Sequence, residues 1–184
     1  MKKKIFIIIL LIVLLAGAGF LVWFFKKGQA NIYHITDESL GVTFSISKDF
    51  ERMGQDELRL INPSFVYGFR PKDVKDASCI VSQTQRLKPG YISPEDIKNG
   101  TFAALKKSYP TAELTDWQEI KVGGGLKGAR LEVNYKVDKS NFRVSEVVGT
   151  TDERTTFAFC SAPASLYKFY QSDFNTFLSS LYLK

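Results

Sequence analysis

The side chains of this 184-residue chain that could do chemistry are few and far apart. His34 is the one histidine, and it falls in a polar stretch ahead of the folded region; this excludes a catalytic triad and a histidine-rich metal site. Cys79 and Cys160 are the two cysteines, too distant in sequence for a metal signature. Each sits in a strand-like segment. Outside the cytoplasm two such thiols pair if their strands are neighbours; otherwise they are two small buried hydrophobes. Glu95-Asp96 and Asp152-Glu153 read as a helix start and a turn rather than as calcium ligands. Gly123-Gly124-Gly125 has no helix after it and no Gly-Lys-Ser/Thr, so it reads as a hairpin turn and not a phosphate cradle. This inventory points away from an enzyme, a metal and a cofactor. Recognition remains. Phe65, Tyr67 and Phe69 within Asn62–Arg70, and Tyr91 within Leu87–Ile92, place aromatic rings beside Arg and Lys in loop-like sequence, a composition favoured at interfaces. The competing reading is that these rings cover a sheet edge.

The elements that must position such a surface begin with Ile5–Phe25, 21 residues free of charge, amide, hydroxyl and proline. As a helix this stretch would measure about 31 Å, the thickness of a bilayer's hydrocarbon core. Lys2, Lys3 and Lys4 precede it, Lys26 and Lys27 follow, and Trp23, Phe24 and Phe25 stand at its outer end. Ala16-Gly17-Ala18 resembles a signal-peptidase site, but further apolar residues follow it, which favours an uncleaved anchor. The charge bias expects a cytoplasmic N-terminus and a single pass through the plasma membrane, with the C-terminal domain outside. The chain thus reads as an anchor at 1–27, a polar linker at 28–40 and one domain at 41–184. The net charge of +6, from 25 basic and 19 acidic residues, falls to +1 once the five flanking lysines are set aside, so nothing marks a nucleic-acid binder. The partners expected are the lipid bilayer, through the N-terminal helix, and an envelope protein.

Within the domain, Val42, Phe44 and Ile46 alternate with Thr43, Ser45 and Ser47, as in a half-buried strand. Glu57–Ile61 reads as a short strand, and Ala77–Gln85 as another. Ser93-Pro94-Glu95-Asp96 is a helix start: Ser93 can cap, Pro94 suits the first turn, and Asp96 completes a capping box. Ile97, Phe102, Leu105 and Tyr109 share a face of that helix, which Pro110 stops. A β-meander follows, with one strand ending at Val122, a second from Ala129 to Val137 whose wet face carries Arg130, Glu132, Asn134 and Lys136, a third at Phe142–Thr150 and a fourth at Thr155–Ser161. A final helix runs from Pro163 to about Tyr182, with Leu166, Phe169, Tyr170, Phe174, Phe177, Leu178 and Leu181 on its apolar side.

The opening Gly41-Val42-Thr43-Phe44-Ser45-Ile46 followed by Phe50, the strand Gly128-Ala129-Arg130-Leu131, and the closing Phe174, Phe177, Leu178, Ser179, Ser180 and Leu181 resemble the PsbP-like superfamily over residues 40–183. Ser47-Lys48-Asp49 stands where that pattern usually has a proline. The resemblance implies an α+β fold, an α/β/α sandwich around a central antiparallel sheet, and a non-catalytic binding or assembly role; no site residue or partner carries over. A small-ligand or lipid-binding sensor is the alternative, with an envelope enzyme using an unrecognised carboxylate site behind it.

Overall fold

The computed structural model describes residues 31–87 and 89–184. Ile5–Phe25 and its flanking lysines lie outside these; among the described residues no helix is long and apolar enough to cross a membrane. The chain divides into two units, Met1–Ile32 and Tyr33–Lys184, and the described fold is the second. Its elements run β1 (Ile32–Asp37), β2 (Val42–Ser47), β3 (Phe50–Arg52), α1 (Gln55–Ile61), β4 (Phe65–Pro71), β5 (Ser78–Gln85), α2 (Pro94–Ser108), β6 (Glu113–Lys121), β7 (Lys127–Val137), β8 (Ser140–Thr150), β9 (Arg154–Pro163), α3 (Ala164–Ser179) and β10 (Tyr182–Leu183). Among the described residues, seven strands form an antiparallel sheet in the order β3-β4-β5-β9-β8-β7-β6, and β1-β2-β10 form a smaller one.

Layering follows from which faces are apolar. On one face of the large sheet α1 packs on β4, and α2 packs on β6 and β7. On the other, α3 packs on β8 and β9 and against β2. The result is the α+β, helix–sheet–helix sandwich expected. Strand β8, interior to the sheet between β9 and β7, is buried from Val144 to Gly149 without alternation. Between α3 and the sheet, the Phe44 ring meets Tyr67, Phe69 and Phe177 edge-on at 5.4, 5.9 and 5.4 Å. Each large ring buried this way contributes about 1.5–3 kcal/mol. Helix α2 starts as its capping sequence requires: the Ser93 hydroxyl accepts from the Asp96 amide at 3.1 Å.

Four expectations change. Glu57–Ile61 lies in helix α1, not a strand. Its one buried residue, Leu58, fills the space opposite Gly68, where a Cβ would come within 2.5 Å of Leu58 Cδ2. The stretch read as linker contains strand β1, whose His34 Nδ1 lies 2.8 Å from Ser45 Oγ on β2. The final helix ends at Ser179, and Tyr182–Leu183 instead pair with Val42 and Thr43. On that helix Tyr167 is buried, whereas Phe169 is 78% exposed.

Candidate binding cleft

At one end of the large sheet three connections meet: β5 to α2, β6 to β7, and β8 to β9. Arg86 ties the first to the third. Its amide donates to Glu153 O at 2.8 Å, and its guanidinium donates to Thr151 O at 2.6 Å and to Gly90 O at 2.7 Å. The triglycine turn supplies the second wall. Gly123, Gly124 and Gly125 all have positive φ (106°, 49° and 83°), the region where a side chain is strained. At Gly123 a Cβ would lie 2.8 Å from the backbone of Leu183. Its absence lets the C-terminal strand lie against the turn, with the Leu183 amide donating to Val122 O at 2.7 Å.

These walls enclose an open cleft of about 730 Å³. Its apolar lining comes from Tyr91, Ile92, Leu126 and Leu183, and its cations are Arg86, Lys127 and Lys184. Tyr91 stands 77% exposed at the rim. Lys127 pairs with Glu119 at 2.8 Å, and that hydrogen bond and charge push its ammonium above the ordinary lysine value. Lys184 pairs with Glu38 at 2.7 Å. A smaller depression of about 320 Å³ continues past Lys184 to Gln83 and Arg154. Apolar walls with donors and cations along one side suit a ligand segment that has an apolar part and carbonyl or anionic groups.

A second polar cluster lies on the α3 side. Glu132 accepts from Arg130 at 3.2 Å and from Arg143 at 3.3 Å, and Arg130 also donates to Asn175 of α3 at 2.7 Å. The Tyr167 hydroxyl meets Ser145 and Glu132, and the Arg143 guanidinium lies 4.8 Å from the Tyr167 ring centre. Burial pushes the Tyr167 hydroxyl upward. The expected wet face of β7 is therefore covered here: the Arg130 and Glu132 side chains are only 19% and 12% exposed. The cluster is a charge-compensated strut between helix and sheet.

The residues singled out from sequence separate in space. Cys79 and Cys160 oppose each other on β5 and β9, fully buried, and form a disulfide with sulfurs 2.03 Å apart. Phe65 and Tyr67 face opposite sides of β4 across a bulge. Phe65 packs on Phe159, and Phe69 is 4% exposed. The Tyr67 hydroxyl donates to Asp37 at 2.8 Å. Hydrogen bonds from Ser39 and Tyr67 hold the Asp37 carboxyl low, while burial and Asp37 raise the Tyr67 phenol. These three rings therefore lie in β4 rather than in loops, and Tyr91 alone of the four lies at the cleft. Sequence reasoning missed Arg86, Lys127 and Lys184, which come together only where the β5–α2 and β6–β7 connections meet the C-terminal strand. It also missed Glu146, although a glutamate on the strand face that carries Val144 and Val148 was a visible signal. Among the described residues, no three His, Cys, Asp or Glu side chains are grouped to hold a metal ion.

No protein-family model matches the chain, and no curated protein matches it either. Solved structures share its fold, two of them over most of both chains. The solution structure of cyanobacterial PsbP (CyanoP) from Synechocystis sp. PCC 6803 superposes with a TM-score of 0.64 at 16% identity, over 84% of this chain and 94% of that one. The crystal structure of LpqN, described as involved in cell envelope biogenesis of Mycobacterium tuberculosis, gives 0.59 at 12% identity, over 83% of this chain and 90% of that one. The described domain has the PsbP-like fold.

Proposed function

We propose that the chain is a single-pass membrane protein whose C-terminal domain, outside the plasma membrane, is a non-catalytic binding or accessory module for an envelope protein. The observation that carries the binding role is the cleft at the sheet end, where Tyr91, Leu126 and Leu183 stand beside Arg86, Lys127 and Lys184. Exposed aromatic surface next to cations is the composition of interface anchors. The external location is supported by the Cys79–Cys160 disulfide, a bond that persists in oxidising compartments, and by the lysine bias around Ile5–Phe25. The role named for LpqN agrees with an envelope setting. A second reading, a small-ligand sensor, rests on the cleft's volume of about 730 Å³, within the usual small-molecule range.

Location is tested on intact cells. Added protease is expected to digest the domain, alkaline carbonate is expected to leave the chain in the membrane, and alkylation in denaturant after an acid quench, which exposes the buried Cys79 and Cys160, is expected to find no free thiol. Release by carbonate would refute the anchor. Two reactive thiols in freshly quenched cells would put the domain inside.

A further inference from the structure

Glu146 sits near the middle of the large sheet with apolar neighbours. Leu131 and Phe159 oppose it on β7 and β9, and Val144 and Val148 flank it on its own face. It is 6% exposed and, among the described residues, makes no hydrogen bond or ion pair. A carboxylate in that position ordinarily has a partner. Every described side-chain oxygen or nitrogen sealed from solvent does have one, so the unpartnered oxygens of Glu146 keep a narrow opening. Helix α1 covers β4, and α2 covers β6 and β7, so the opening falls on the strip of sheet between them. Half-buried Phe157 and Phe159 lie on this strip, and Phe65 meets Phe159 edge-on at 5.7 Å.

We propose that this strip binds a small organic ammonium ion, its charge met by Glu146 and its alkyl body resting on Phe159 and Phe65. An aromatic face carries negative electrostatic potential, so rings beside one carboxylate select a cation with an apolar body over an anion or a hydrated metal ion. Among the described residues no cation pairs with it instead. Helix α2 brings Lys98 to this side, but its ammonium lies 4.5 Å from the Trp117 ring centre and pairs with Glu95 at 3.4 Å. At the sheet edge Lys127 is committed to Glu119, and the Tyr135 hydroxyl lies 2.9 Å from Ser161. Burial alone pushes the Glu146 carboxyl up to about 8, with no neighbouring charge contributing. A bound ammonium would supply that missing charge and hold the carboxyl ionised.

The test follows the Glu146 carboxyl by carbon NMR in the full-length chain in non-ionic micelles. Butylammonium chloride at about 0.1 M, well above the millimolar affinity expected of so small a ligand, is compared with sodium chloride of equal ionic strength. The site predicts that butylammonium lowers the carboxyl midpoint by about one unit, a tenfold bias toward the ionised form, and shifts the Phe159 ring signals. E146Q is expected to abolish the ring shifts. A midpoint and ring signals identical in the two salts would overturn the proposal, and this reading needs no variant to fold.

Discussion

Replacing Glu146 with Gln is expected to stabilise the protein above neutral pH and to leave it unchanged in acid. Burial raises the folded-state value of this carboxyl from 4.5 to about 8. Between those values the native chain holds a proton that the unfolded chain has released. Stability therefore falls as pH rises from about 4.5 and levels off once the native carboxyl also ionises near 8. The full effect is on the order of 5 kcal/mol, opposite in sign to that of a salt-bridged carboxylate. Denaturant unfolding of wild type and E146Q at a series of pH values isolates this residue, because other titrating groups cancel in the difference. The two curves should coincide near pH 4 and diverge to a plateau above about pH 8. Parallel curves across that range would mean that the native fold does not hold this carboxyl protonated.

The second large effect belongs to the disulfide. Cys79 and Cys160 lie 81 residues apart on adjacent strands, so their bond closes a long loop in the unfolded chain. On the chain-entropy account, removing it costs about 4 kcal/mol. The Cys79→Ala/Cys160→Ala double variant, compared with wild type by denaturant midpoint under oxidising conditions, should show a loss of that order. A loss below about 1 kcal/mol would mean that the reduced unfolded chain already keeps this region compact.

The parts of the fold legible in the sequence are those governed by local chemistry. Ser93-Pro94 marked the start of α2 because capping and a fixed φ act within one turn. The meander was legible because the alternation from Gly128 to Val137 in β7, with glycines before it and Asp138 after it, has few other solutions. Glu57–Ile61 was misread because five residues with leucine at every second position fit period two and one helical turn equally well. Only packing of Leu58 opposite Gly68, ten positions on, decides between them. Arg130 and Glu132 looked solvated because the helix that covers them begins far later in the chain, at Ala164. The same distance effect hid the cleft: its cations and apolar walls come from three chain segments far apart in sequence.

The central claim is that the sheet-end cleft is where this domain meets its envelope partner. Its most direct test places a photo-crosslinking amino acid at Tyr91 in the full-length chain, in the membrane of its native cell. The same probe at Phe169, exposed on α3, serves as control. The account predicts one defined adduct from Tyr91, absent from Phe169 and lost when Lys127→Glu is added. Adducts that are the same from both positions, or none from Tyr91, would contradict it.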